Sequence, residues 1–123
     1  MAQTPYTVNF EFDQDNLDAR ARRDLNAQAK WILAHPEVRF SVFGHTDKVG
    51  TNAYNEDLGL RRALEVVAYL TAKGINPDRL EALVTYGEDL PIIQTELRER
   101  VNRRATTVVM GFSPPYGPPA KQR

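Results

Sequence analysis

GHTDKVGTNAYN, Gly44 to Asn55, is the stretch on which the fold turns, because it separates a segment with the period of a strand from one with the period of a helix. Upstream, Val38, Phe40 and Val42 recur at every second residue, and the strand they predict ends at Gly44. Downstream, a helix is expected from about Tyr54 to Lys73, with Leu60, Ala63, Leu64, Val67 and Leu70 as its core stripe. Gly74 follows Lys73 as a stop signal.

The same periods extend outward on both sides. Val8, Phe10 and Phe12 alternate with Thr7, Asn9 and Glu11, which predicts a strand over 7–12. Ala21, Leu25, Gln28 or Ala29, and Ile32 recur at helical spacing over 18–34, with Asp18 as N-cap, Pro36 as the stop and an Arg-rich exposed face. Trp31 on this helix lies near Ala27 and Ala34 and is expected to pack partly against its neighbours. After a turn at Asn76, Pro77 and Asp78, a strand is expected over 80–86, ended by Gly87 and Pro91. A short charged helix capped by Thr95 is expected over 96–104, then a last strand over 106–112 with Val108, Met110 and Phe112 on one side. The order βαβαβαβ predicts an α/β fold, a two-layer sandwich whose mixed four-stranded sheet carries the helices of 18–34 and 54–73 on one face. Residues 1–6 read as an extension and 7–112 as the domain. Residues 113–123, SPPYGPPAKQR, are too rich in proline for a packed sheet and read as a tail.

Composition removes most function classes. A length of 123 residues suits one hydrophobic core. Sixteen basic and sixteen acidic side chains leave no net field, so neither nucleic acid nor an anionic membrane is an expected partner. Apolar runs such as Val66 to Leu70 fall far below the roughly 20 residues of a membrane helix, so no insertion by this domain is expected. The first residues, Met-Ala-Gln-Thr, carry no export signal and argue neither for export nor against it. No cysteine is present, which excludes thiolate catalysis and Cys-ligated zinc. Only Ser41 and Ser113 offer hydroxymethyl nucleophiles, and Ser41 sits mid-strand outside any Gly-flanked elbow. His35 and His45 lie in different segments, so no metal is expected, and His45 reads as a hydrogen-bonded structural residue. GHTDKVG lacks the spacing of a phosphate loop. Neither a catalytic residue nor a cofactor is expected.

The loop does offer charges of both signs. Asp47 follows the strand end, and the loop feeds the N-terminus of a helix, which attracts anions. Arg62 stands roughly 12 Å up that helix and can fold back along its side chain. Such a pair suits a zwitterion, Asp47 taking an ammonium and Arg62 a carboxylate. The same residues fit a plainer arrangement, with Asp47 shaping a turn and Arg62 on a solvated face. As a ligand-holding loop carboxylate, Asp47 is expected instead to contribute little to the core, so that its loss would spare the fold.

GHTDKVGTNAYNEDLGLRRA, with VNFEFD, KGINPDRL, YGEDLP and VNRRATTVV around it, resembles the signature of the OmpA-like C-terminal domain, the family that includes the peptidoglycan-associated lipoprotein and the flagellar stator protein MotB. The resemblance covers roughly residues 7–112. Gly50 with Tyr54 and Asn55 is more similar to the outer-membrane and lipoprotein branches than to the stator branch. The resemblance implies non-covalent binding of peptidoglycan at meso-diaminopimelate of the stem peptide. It also implies a periplasmic location, attached to the outer membrane through a part of the protein outside this chain. The family's binding Asp falls on Asp47 and its helix Arg on Arg62, while Thr46, Asn55, Val49 and Asp13 match positions near the same pocket. Two departures from the family are Gly59 in place of its usual Ser and Val49 in place of a small or polar residue. The alternative function is a protein-protein interaction module of an envelope complex that keeps the fold without ligand binding, with envelope protein partners docked on the Pro-rich tail or the Arg-rich first helix.

Overall fold

The computed structural model describes residues 6–111. Phe112 and the Pro-rich segment 113–123 lie outside the described residues, as do 1–5. Strand β1 spans Tyr6–Asn9, helix α1 Ala19–Ala34, β2 Arg39–His45, α2 Asn52–Ala72, β3 Leu80–Gly87 and β4 Arg104–Met110. The sheet order is β1-β4-β2-β3, with β2 and β3 parallel and β4 antiparallel to both β1 and β2. Parallel neighbours need a long crossover, and α2 supplies it between β2 and β3.

Both helices start where a side chain can replace the missing backbone acceptor. Asp18 accepts from the Ala21 N–H at 2.8 Å, and Thr51 from the Tyr54 N–H at 3.1 Å. Thr51 thus begins α2 two residues ahead of the expected Tyr54. On α1 the buried residues are Ala21, Leu25, Gln28, Ala29 and Ile32, as the spacing predicts. Trp31 is half-buried against the core, its ring 3.9 Å from the His35 ring.

Helix α2 is turned from the expected azimuth. Its buried residues are Asn55, Leu58, Gly59, Arg62, Ala63, Val66 and Leu70, while Leu64, expected in the core, is 48 % exposed. The cause is a close crossing with β2, where a Cβ on Gly44 would lie 1.8 Å from the Gly59 carbonyl oxygen and one on Gly59 2.4 Å from Thr85 Oγ1. Backbone meets backbone there, so only glycine fits at Gly44. Putting Gly59 against the sheet also brings Asn55 and Arg62 inward, because residues four before and three after share its face. Gly59 therefore sets the helix azimuth as well as costing helix propensity.

Two further expectations are corrected. The first strand pairs only to Asn9. Phe10 stays buried, its N–H bonded to the Arg103 carbonyl, but the chain then turns through Asp13, which adopts a positive φ of 60°. Residues 96–104 form no α-helix: a 3-10 turn at Arg100–Asn102 is all that remains, and β4 starts at Arg104. A helix there would need the Glu99 N–H, which instead goes to Asp47, and it would expose Asn102. The Asn102 side chain is fully buried, accepting from the Ile92 and Ile93 N–H groups and donating to the Ile93 carbonyl. Leu97, 73 % exposed, gives the segment no apolar face to bury.

Candidate functional site

At the C-terminal end of β2 the chain leaves the sheet, and α2, the turn after β1 and the loop itself enclose a cavity of about 380 Å³. Asp13, Asp47, Val49, Asn55 and Arg62 all border it, together with Phe12, Gly50, Tyr54 and Leu58. Of the residues singled out in the sequence, only Thr46 does not line it. Thr46 is buried behind the wall, where its hydroxyl donates to the Asp47 carbonyl at 2.8 Å. Phe12, Tyr54 and Leu58 were not foreseen as walls. Tyr54 stood in the diagnostic loop, whereas Phe12 looked like a strand residue.

Arg62 is the largest fully buried side chain of the described residues. Its guanidinium lies 5.1 Å from the Phe10 ring centroid and donates to three carbonyls: Nε to Gln14 at 2.9 Å, Nη1 to His45 at 2.9 Å and Nη2 to Glu11 at 3.3 Å. It has no carboxylate within ion-pair distance among the described residues. Burial draws its pKa down to about 10, against the opposing pull of Asp47, so it stays cationic at neutral pH. Arg61, one residue away, is the surface arginine, paired with Asp15 and Asp57. The solvated role open to Arg62 in the sequence thus falls to its neighbour.

Asp47 is 3 % exposed and is no ordinary turn residue. Its Oδ1 accepts from the Val49 N–H at 3.2 Å. Its Oδ2 accepts from the Glu99 N–H at 3.2 Å and pairs with Arg103 Nη1 at 3.0 Å. Arg103 is itself buried, with Nε donating to the Phe10 carbonyl. The expectation that Asp47 contributes little to the core is therefore corrected: it is the acid of a buried ion pair. Nothing in the spacing of Asp47 and Arg103 signals that pairing, since 56 residues separate them. Asn55 braces the loop, donating to the Asp47 and Val49 carbonyls and to Glu88. At the rim the Tyr54 hydroxyl bonds the Asp13 carboxylate.

His45 departs from its expected hydrogen-bonded role. Its Nδ1 is buried without a hydrogen-bond partner among the described residues, and its ring stacks on Tyr86 with centroids 5.6 Å apart. Burial, aided by the nearby Arg104 charge, lowers its pKa from 6.5 to about 4. The unfolded chain binds a proton in that window and the folded chain does not, so stability is present above pH 6.5 and is lost as pH falls toward 4. As much as about 3 kcal/mol is at stake. Urea titrations should show this slope in wild type and a flatter one in His45→Phe, which keeps a ring over Tyr86; coincident profiles would rule His45 out as the source.

Among the described residues no group of three or more His, Asp or Glu is placed to hold a metal, and no helix is long and apolar enough to cross a membrane. What the cavity presents is a buried cation, ion-paired to no carboxylate among the described residues, beside a carboxylate whose Oδ1 can accept more. The OmpA family pattern matches residues 9–105.

The chain belongs to the OmpA family.

It is 33 % identical over 118 residues to the peptidoglycan-associated lipoprotein of Rhizobium meliloti, covering 89 % of this chain and 66 % of that one. This OmpA-family chain thus spans about two thirds of that relative's length. The crystal structure of the peptidoglycan-associated lipoprotein from Burkholderia pseudomallei superposes with a TM-score of 0.79 at 31 % identity, covering 85 % of this chain and 90 % of that one. The C-terminal domain of Helicobacter pylori MotB gives 0.73 at 26 %, covering 87 % and 84 %. The α/β architecture and the family resemblance are both upheld.

Proposed function

We propose that this domain binds peptidoglycan non-covalently through the zwitterionic end of meso-diaminopimelate in the stem peptide. The observation that carries this reading is Arg62, a buried guanidinium facing a cavity with no ion-paired carboxylate among the described residues, next to Asp47. Buried charges are ordinarily paired, and an anion entering the cavity would complete the pair. Three carbonyls use three of the five N–H bonds of Arg62, and its charge acts from the cavity floor together with the N-terminal end of α2. Asp47 Oδ1 takes the distal ammonium. Asp13 and Asn55 border the ligand, Val49 gives it an apolar contact, and Thr46 holds the loop from behind. The relatives named peptidoglycan-associated lipoprotein support this reading. They also support a periplasmic place, held to the outer membrane by a part of the protein outside this chain. The site binds and does not catalyse.

Diaminopimelate and lysine differ by the carboxylate on the distal carbon. A hydrogen bond to a charged group contributes roughly 1.5 to 3 kcal/mol, so lysine-type peptidoglycan should bind on the order of ten to a hundred times more weakly. Sedimentation with diaminopimelate-type sacculi, competed by free diaminopimelate, is the direct test. Equal retention on lysine-type sacculi would overturn the assignment.

Contact with an envelope protein is a second reading, favoured by apolar side chains left exposed after β3: Leu90, Ile92 and Leu97 at 50, 60 and 73 %.

A further inference from the structure

We propose that Arg98 forms a second anion subsite at the edge of the cavity, taking a carboxylate of the stem peptide outside the diaminopimelate zwitterion. The inference rests on the peptidoglycan reading above and extends it to a residue that the family resemblance does not single out.

Both ends of Arg98 are tied to the cavity wall. Its backbone adjoins Asp47, because the next residue's N–H, that of Glu99, is the one bonded to Asp47 Oδ2 at 3.2 Å. Its guanidinium lies 3.7 Å from the ring centroid of Phe12, which borders the same cavity. An exposed arginine side chain is normally mobile, and stacking on an aromatic face fixes it while leaving its N–H edge free for a carboxylate. The acids that stand near it in sequence or space are committed elsewhere. Glu96 pairs with Lys48 at 3.7 Å, Glu99 accepts from the Val101 N–H, and Glu11 pairs with Arg100. Among the described residues Arg98 has no carboxylate partner of its own. The failure of residues 96–104 to form a helix is what delivers it here, since the Glu99 N–H is spent on Asp47.

The chemistry of the ligand fits this placement. With the distal zwitterion of diaminopimelate in the cavity, its short methylene arm leaves the peptide backbone at the mouth. Two carboxylates then lie outside: the α-carboxylate of the preceding D-isoglutamyl residue and the C-terminal carboxylate of the stem. Either is a planar anion suited to bidentate pairing with a guanidinium.

The test is calorimetric titration of wild type, Arg98→Gln and Arg98→Lys with four forms of the tetrapeptide L-Ala-γ-D-Glu-meso-diaminopimelyl-D-Ala: unmodified, amidated at the D-isoglutamyl carboxylate, amidated at the C-terminus, and amidated at both. Wild type should lose roughly threefold to tenfold in affinity on one of the single amidations, the scale of a well-oriented ion pair at an exposed rim, and that arm identifies the carboxylate. Arg98→Gln should bind the unmodified peptide as weakly as wild type binds the doubly amidated one and should not distinguish the four. Arg98→Lys should fall between, with a loss that shrinks as salt is raised. Equal wild-type affinity for all four peptides would overturn the Arg98 subsite while leaving the diaminopimelate reading intact, as would discrimination retained by Arg98→Gln. Failure of wild type to bind any of them would sink both.

Discussion

Replacing Asp47 with alanine should destabilise the domain by about 3 to 5 kcal/mol and abolish sacculus binding together. The magnitude follows from what the carboxylate leaves behind. Arg103, buried with it, would keep its charge with only the Phe10 carbonyl beside it, and the Val49 and Glu99 N–H groups would each lose an acceptor. Removing one partner of a buried ion pair costs that much because the surviving charge stays desolvated. It is a large share of the stability of a domain this size. Urea unfolding followed by circular dichroism is the measurement. The double variant Asp47→Asn, Arg103→Gln should recover part of the loss, since no charge is then stranded. A single Asp47→Ala protein that melts with wild type would show that the pair is energetically silent. Loss of binding without loss of stability would return Asp47 to the status of a plain loop ligand.

Arg62→Met should be at least as damaging, by upward of about 3 kcal/mol, though it removes a buried charge and keeps an apolar stem. The guanidinium donates to three carbonyls, those of Glu11 and Gln14 in the turn after β1 and that of His45 at the end of β2, and of these the Glu11 carbonyl also accepts from the Gln14 N–H. Each buried acceptor left without a donor costs about 1 to 3 kcal/mol. Arg62→Lys is the more telling variant. It retains the charge, but one ammonium cannot span three carbonyls in a planar fork. Hydrogen exchange in residues 11–14 should speed up in Arg62→Lys, because that turn is held from below by Arg62 alone of the α2 side chains that bond its carbonyls. If the lysine protein holds the turn as tightly as wild type yet loses its preference for diaminopimelate over lysine, Arg62 acts on the ligand and not on the fold. If exchange rises and preference is kept, the reverse holds.

Much of the scaffold was readable from local chemistry. Asp18 as N-cap, the alternation of Phe40 and Val42, the stripe Ala21, Leu25, Ala29 and Ile32, and the stop at Gly74 each involve partners within a few residues, and local partners are what a linear pattern encodes. The loop from Gly44 to Asn55 was likewise legible, and through the family resemblance so was the placing of Asp47, Arg62, Asn55, Val49 and Asp13 near one pocket. The azimuth of α2 was not. With Leu58, Leu60, Leu64, Val66 and Val67 spread over more than one face, apolar periodicity leaves the rotation open. The Gly44–Gly59 crossing closes it, sending Leu64 to solvent and Arg62 to the floor of the cavity.

Residues 96–104 carried a cap and helix-forming side chains, yet long-range partners won. Asp47 took the Glu99 N–H, and Asn102 was drawn inward to bond the backbone at Ile92 and Ile93. Where most strands and helices lie is thus legible in the chain, because it depends on near neighbours, while the clustering of residues at the loop was legible only through the family resemblance. Which way α2 faces, that Arg103 is the partner of Asp47, and that Arg62 is a buried cation bonded to carbonyls come from the fold alone. Each of these depends on a contact between backbones or charges that the sequence separates by 15 residues or more.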